Sequence, residues 1–136
     1  MKEEEITGKI IGCAMKVHRA LGSGFLESVY QNALRYELKK AGIDIACEVP
    51  LKVHYEGEVI GTFCADMVAN DLVIIENKAV ENLAPAHEAQ LVNYLTATKR
   101  DIGLLLNFGA SSLQYKKKFR VYRAPAPHPV NPEKSC

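Results

Sequence analysis

The chain has 136 residues, 48% of them hydrophobic and 24% charged, which predicts one globular domain and excludes a disordered polymer. Lys and Arg number 17 against 16 Asp and Glu, and the net charge of +1 excludes a protein that coats nucleic acid through overall positive charge. No apolar run is long enough to span a membrane, and the start of the chain is acidic where a secretion signal would be apolar.

The cysteines give a prediction about the cellular compartment. The sequence contains Cys13, Cys47, Cys64 and Cys136. Their positions show neither metal-ligand spacing nor the clustering that an iron–sulfur centre needs. We therefore expect free thiols, which together with the lack of a secretion signal predict a reducing, cytoplasmic location.

The spacing of apolar residues predicts the secondary structure. Spacings of three and four residues predict helices over residues 3–21, 26–41 and 87–99. Period-2 alternation and short apolar runs predict strands over 43–55, 59–68, 72–78 and 102–108, with an edge strand over 116–123. Glu56-Gly57 and Asn70-Asp71 are predicted turns, and Gly42 is placed to end the second helix.

This order of elements predicts an α/β domain over residues 1–123, with a central mixed sheet flanked by helices. The remaining residues, 124–136, contain Pro125, Pro127, Pro129 and Pro132. We expect them to form a disordered tail, because they have little with which to pack.

Three charged residues at the ends of two predicted strands suggest chemistry. Glu76 and Lys78 are two residues apart in one strand, so their side chains leave the same face. A hairpin at Asn70-Asp71 brings Asp66 opposite Glu76. Converging carboxylates repel each other unless a cation lies between them, and oxygen ligands suit Mg²⁺ or Mn²⁺. The alternative interpretation is a solvent-exposed ion pair at the end of a strand.

A second feature is the pattern Gly24-x-x-Glu27-x-x-Tyr30 in the second helix. Glu27 and Tyr30 are one helical turn apart, and Glu27 borders the apolar stripe, so that its carboxylate can point inward. Two structural interpretations remain open. Glu27 lies in the first turn, where it can cap the helix or interact with its dipole, and Tyr30 can be an ordinary core residue.

Several motifs together resemble a known protein family. They are Val17-His18-Arg19-Ala20-Leu21-Gly22, Gly24-x-x-Glu27-x-x-Tyr30, Asp66 with Glu76-Asn77-Lys78, Gln90-Leu91-Val92-Asn93-Tyr94, and Gly103-Leu104-Leu105-Leu106-Asn107-Phe108-Gly109. The first two resemble the GxxExxY protein family, which is placed in the PD-(D/E)xK nuclease superfamily. The third resembles the superfamily's D…(D/E)xK motif, and the fourth resembles the Q-x-x-x-Y motif of its RecB-like branch. The likeness extends over residues 4–123.

The resemblance implies a restriction-endonuclease-like core and a metal-dependent phosphodiesterase that acts on nucleic acid, with DNA favoured over RNA. Asp66 and Glu76 would bind Mg²⁺ or Mn²⁺, with Glu27 as a further acidic ligand. Lys78 would orient or polarise the attacking water. Gln90 would hold a metal-bound water or a phosphate group. These roles meet the two needs of phosphodiester hydrolysis, a nucleophile near neutral pH and compensation of the growing negative charge.

The resemblance also implies supporting roles, and the sequence departs from the superfamily pattern at two positions. Tyr94 would support Gln90 or contact the nucleic-acid backbone, and Tyr30 belongs to the signature. His18 could reach the site from the first helix, although a hydrogen-bonded histidine near the core is favoured. Ala65 stands where the superfamily often has Pro, and Asn77 stands where an apolar residue is commoner. Neither departure removes a ligand.

A basic segment near the end of the domain is a candidate nucleic-acid surface. Lys116, Lys117, Lys118 and Arg120, interleaved with Tyr115, Phe119 and Tyr122, could follow a phosphate backbone, or could form a charged edge that blocks strand pairing. We further predict a homodimer. The alternatives to a nuclease are a catalytically silent module that binds nucleic acid or a protein partner, and a structural subunit of a larger complex.

Overall fold

The computed structural model describes residues 2–121 of the chain. Within this range the elements follow the order α1 (Glu3–Leu21), α2 (Glu27–Lys40), β1 (Ile45–Tyr55), β2 (Glu58–Ala69), β3 (Val73–Lys78), α3 (Pro85–Thr98), β4 (Ile102–Asn107) and β5 (Gln114–Phe119). The predicted tail at 124–136 and Cys136 lie outside the described residues. In the part of the chain that is described, no helix is both long and apolar enough to cross a bilayer.

The five strands form one mixed sheet in the order β1-β2-β3-β4-β5. β3 and β4 are parallel, and the other three pairs are antiparallel. The parallel pair requires a crossover, which α3 supplies. The predicted mixed sheet flanked by helices is therefore confirmed.

The sheet separates two apolar layers. On one face, α1 and α2 contribute residues at helical spacing, Ile6, Ile10, Ala14, Val17, Leu34 and Leu38. On the other face, Leu91 and Leu95 of α3 pack against Ile74 and Leu105. β3 and β4 are buried on both faces, as their continuous apolar runs predict.

Both predicted hairpin turns are present. Glu56 and Gly57 connect β1 to β2, and Asn70 and Asp71 connect β2 to β3, all four with positive φ. Asn70 is suited to this conformation because its short polar side chain forms local hydrogen bonds, and here its Oδ1 accepts a hydrogen bond from the Asp44 N–H at 2.8 Å.

The predicted boundaries of the edge strand and of the third helix were wrong by a few residues. The edge strand β5 begins at Gln114 rather than at 116 and ends at Phe119, since its pairing with β4 runs from Gln114 to Phe119. The third helix begins at Pro85, two residues earlier than predicted, because proline fits the first turn, where its missing N–H costs nothing.

The loop after β3 is fixed by one side chain from β4. Asn107 is fully buried, its Oδ1 accepts hydrogen bonds from the N–H groups of Val80 and Gly109, and its Nδ2 donates to Val80 O and Gln114 Oε1. The Phe108 N–H donates to Lys78 O at 2.8 Å. The backbone on both sides of Ala79 is thus attached to β4 and its following loop.

We expect Gly109→Ala to destabilise the protein, because a Cβ at this position would lie 2.4 Å from both the N and the O of Val80. The neighbouring backbone would have to shift, at a cost of about 1–3 kcal/mol in the free energy of unfolding. The control is Gly61→Ala in β2, where a Cβ meets no atom within 4 Å. Urea denaturation measures both, and equal stabilities of the two variants would contradict the prediction.

Candidate active site

The candidate site lies where the backbone pairing of β2 with β3 ends. The pairing extends from Ala69 opposite Val73 to Met67 opposite Ile75. At the next position, hydrogen bonds from backbone to side chain replace the backbone pairing. The Asp66 N–H donates to Glu76 Oε2 at 2.9 Å, and the Asn77 N–H donates to an Asp66 carboxylate oxygen at 2.8 Å. Each carboxylate is therefore held by the backbone of the opposite strand.

Both carboxyl groups resist ionisation. Glu76 is 7% exposed. Burial raises the pKa of Glu76 to about 7, and the negative charge of Asp66 adds to the shift. Burial likewise raises the pKa of Asp66, with smaller contributions from the charges of Glu48 and Glu27. Desolvation and like charge thus make a bound cation favourable at this position.

Lys78 provides positive charge beside the pair. It is half-buried at the end of β3, two residues beyond Glu76 and on the same face. Its charge lowers the pKa values of both Asp66 and Glu76, although not enough to offset their burial. The sequence prediction that these three residues converge therefore agrees with the geometry.

Glu27 differs from the expectation that it points inward. It is the first residue of α2 and is exposed. Its negative charge nevertheless raises the pKa of Asp66, after the larger effect of burial. Glu27 therefore lies near the carboxylate pair but is not buried with it, because the apolar stripe of α2 begins at Tyr30, one turn later.

Tyr30 and His18 make structural contacts. The buried Tyr30 hydroxyl donates to Gly22 O and accepts from the Phe25 N–H at 3.1 Å, and its ring stacks on Phe108 with centroids 4.8 Å apart. His18 is hydrogen bonded through Nε2 to Ala110 O at 2.9 Å. Tyr30 therefore fixes the loop between α1 and α2, and the structure does not bring His18 to the carboxylate pair.

Gln90 and Tyr94 lie on α3. Burial raises the pKa of Tyr94, and the charges of Glu76 and Asp66 raise it further, which places the phenol beside the carboxylates. The exposed Gln90 side chain, one helical turn before Tyr94, lowers the pKa of Tyr94. This helix face therefore borders the site.

Two neighbours of the site were not predicted. Phe63 of β2 stacks on Tyr94 with ring centroids 3.6 Å apart and an interplanar angle of 9°. Glu48 of β1 carries a charge that acts on both carboxylates. The position of Glu48 opposite Asp66 could not be predicted by counting residues from the turn, because a register irregularity between Val53 and His54 shifts the pairing by one residue. Nothing in the sequence indicates that Phe63 lies beside the site.

The donor set fits a hard divalent cation. Within residues 2–121, no three His, Cys, Asp or Glu side chains already converge in a metal-binding arrangement. Mg²⁺ is commonly held by one or two carboxylates and keeps several waters, so the pair Asp66 and Glu76 suits it. A structural zinc site would instead need four nitrogen or sulfur ligands.

The basic residues of β5 and Arg120, which directly follows it, differ in the ion pairs that they form. Lys118 forms an ion pair with Glu88 of α3 at 3.0 Å, and Arg120 pairs with Asp101 at 2.9 Å. Lys116 and Lys117 are exposed, and neither has an ion-pair partner within 4 Å among the described residues. The positive charge that remains for a partner is therefore concentrated on Lys116 and Lys117.

The raised pKa of Glu76 predicts a pH dependence of stability. Glu76 binds its proton more tightly in the folded chain, with a pKa of about 7, than at its ordinary value of 4.5. Glu76 alone should therefore lower the free energy of unfolding of the metal-free protein as the pH rises from 4.5 to above 7, by about 3 kcal/mol at most.

Urea denaturation with a chelator present measures this dependence. The Asp66 pKa is shifted in the same direction and adds to the effect. Glu76→Gln should flatten the profile and raise stability at pH values above 7, the value to which the Glu76 pKa is raised. A wild-type profile that rises or stays level over this range would contradict the prediction.

Comparison with known proteins finds solved structures that resemble this chain. The crystal structure of SSO0001 resembles this chain with a TM-score of 0.55 at 18% sequence identity. The match covers 71% of this chain and 50% of that one, so this chain spans about half the length of SSO0001. At this identity the likeness shows the fold alone. No match is found among curated proteins.

A family model gives the wider assignment. The model of the PD-(D/E)XK nuclease superfamily matches residues 4–120. This range contains every described strand and helix except the first residue of α1, and it includes both carboxylates and Lys78. The mixed five-stranded sheet agrees with the restriction-endonuclease-like α/β fold. The chain therefore belongs to the PD-(D/E)XK nuclease superfamily.

Proposed function

We propose that this protein is a metal-dependent nuclease that hydrolyses the phosphodiester backbone of nucleic acid, DNA in preference to RNA, with Mg²⁺ or Mn²⁺. The observation that carries the proposal is the pairing of Asp66 with Glu76, which accept hydrogen bonds from the backbone of opposite strands. A protein that used this strand end only for structure would gain nothing from holding two desolvated carboxylates together.

The side chains then have separate roles. Asp66 and Glu76 hold the cation, which supplies Lewis acidity and lowers the pKa of water. Lys78, on the same face, orients the attacking water and stabilises negative charge on the phosphate. Glu27, whose charge acts on Asp66, joins the ligand set when nucleic acid and cation are bound together, and it meets little resistance to movement because it is exposed.

The finer family assignment is also part of the proposal. We place the chain with the GxxExxY proteins in the RecB-like branch. The spacing of Gln90 and Tyr94 supports this, because it puts the Q-x-x-x-Y residues on one face of α3, the face whose Tyr94 senses the charges of Glu76 and Asp66. In this assignment Gln90 holds a water or phosphate oxygen, and Tyr94 positions Gln90.

The basic residues of β5 are accounted for if nucleic acid lies across the sheet, along a path from the site to β5. β5 lies two strands from β3, about 10 Å at ordinary strand spacing. Lys116 and Lys118 share one face of β5, and Lys118 reaches Glu88 of α3, the helix that borders the site. We propose that Lys116 and Lys117 bind backbone phosphates, with Lys118 and Arg120 as flanking contributors.

We also propose that two copies act together in the cytoplasm as a homodimer. The two backbones of a duplex are related by symmetry, so a twofold pair of sites could address both strands. Light scattering at high protein concentration tests this proposal, and a mass of one chain throughout would overturn it.

The first prediction is metal-dependent cleavage. We expect the protein to cut at least one member of a labelled panel of single-stranded, duplex, flapped and four-way-junction DNA and one RNA, when Mg²⁺ or Mn²⁺ is present. Lys78→Ala should abolish cutting because positive charge beside the phosphate is lost. Lys39→Ala, an exposed lysine of α2, is the matched control and should cut as the wild type does.

The outcomes separate the candidate functions. Cutting that requires the cation and Lys78 supports the nuclease. Nucleic-acid binding with neither cutting nor cation binding would contradict the nuclease and support the silent binding module. If millimolar Mg²⁺ or Mn²⁺ leaves the melting temperature unchanged and calorimetry detects no binding, the metal site itself is wrong.

A further prediction concerns salt dependence. Replacing both Lys116 and Lys117 with Ala should weaken duplex binding, because two phosphate contacts are lost. The slope of log affinity against log salt should become shallower by about 1 per lysine. Fluorescence anisotropy with a chelator present measures the slope. Lys9→Ala in α1 is the control, and an equal effect there would refute the proposed path.

A further inference from the structure

Glu48 of β1 lies directly beside the carboxylate pair. The register of β1 with β2 places Cys47 opposite Met67 and Val49 opposite Ala65, so Glu48 lies opposite Asp66. Its carboxylate is also 4.0 Å from the Sγ of Cys64, two residues before Asp66. The side chain is therefore on the part of the hairpin that carries Asp66.

The backbone of Glu48 is in an unusual conformation. Its φ is +52° in the middle of a strand, a region that residues other than Gly, Asn and Asp seldom adopt. The side chains of β1 change faces of the sheet at this residue. Cys47 packs on the layer of α1 and α2, whereas Val49 packs on the layer of α3. In a regular strand these two residues would share a face.

The change of faces does not explain the glutamate. Gly or Asn would adopt the left-handed conformation with less strain. The presence of a carboxylate at this position therefore needs another explanation. Burial is the main cause of the raised pKa values of Asp66 and Glu76, and the charge of Glu48 contributes to both. No ion-pair partner lies within 4 Å of Glu48 among residues 2–121.

We propose that the exposed Glu48 is not a direct ligand but strengthens cation binding by hydrogen bonding to the waters of a hydrated divalent cation on the side of Asp66. The inference rests on the proposed function, since it assumes that Asp66 and Glu76 bind a cation. A third carboxylate on this side attracts the cation and accepts hydrogen bonds from its waters. The strained backbone at Glu48 then serves to aim the carboxylate at the site.

Calorimetric titration of the metal-stripped full chain with Mn²⁺ tests the proposal, at a pH above 7 so that Glu76 is ionised. Glu48→Gln keeps the length and the backbone strain but removes the charge, and it should weaken Mn²⁺ binding by about tenfold. Glu48→Asn should also bind weakly, although its melting temperature should equal or exceed that of the wild type, because Asn tolerates positive φ.

The matched control is Glu56→Gln. Glu56 is an exposed glutamate of the same hairpin with a φ of +49°. It is eight residues along the strand from Glu48, about 26 Å at an ordinary strand rise. It should bind Mn²⁺ as the wild type does.

The results distinguish failure of this inference from failure of the proposed function. If the wild type binds Mn²⁺ and Glu48→Gln binds it equally well, the role of Glu48 is overturned while the metal site stands. If Glu48→Asn binds weakly but Glu48→Gln does not, charge is not the cause and the inference is again overturned. If the wild type binds no Mn²⁺, the proposed function falls, and this inference with it.

Discussion

Two like charges held side by side are the constraint on which this structure depends. Asp66 and Glu76 approach each other because each accepts a hydrogen bond from the backbone of the opposite strand. Such an arrangement is unfavourable without a cation, so the rest of the fold must keep the strands in place. The layer of α1 and α2 and the layer of α3 bury the two faces of β3, and Asn107 holds the loop that follows Lys78. The stability of the sheet thus maintains a locally destabilised site.

The sequence was sufficient to predict the part of the site whose position depends on local rules, the placement of Asp66 beside Glu76. The apolar run of β3 shows a buried strand, and the turn at Asn70-Asp71 fixes which residues of β2 and β3 are opposite each other. Together they place Asp66 beside Glu76. Glu48 could not be found in this way, because the register shift between Val53 and His54 breaks the count from the turn. The exposure of Glu27 was missed because helical spacing does not show how a first turn meets solvent.

The motifs that suggest the family divide into chemistry and support. The tyrosine of the GxxExxY pattern, Tyr30, stacks on Phe108 from the last motif, so the two motifs form one packing unit. Asn107 and Gly109 belong to the same unit, through the loop at Val80. The resemblance alone does not show this division, since a motif gives no indication of whether its residues touch substrate or hold the scaffold.

The connection of Lys78 to β4 has a consequence for the order in which the site is assembled. The hydrogen bonds from the Asp66 N–H to Glu76 and from the Asn77 N–H to Asp66 span about ten residues, so the β2–β3 hairpin contains all of their donors and acceptors. The loop after Lys78 is fixed only when Asn107, 27 residues beyond Val80, has been synthesised. The alignment of the two carboxylates therefore uses contacts within the hairpin, whereas the backbone at Lys78 depends on residues that are synthesised later.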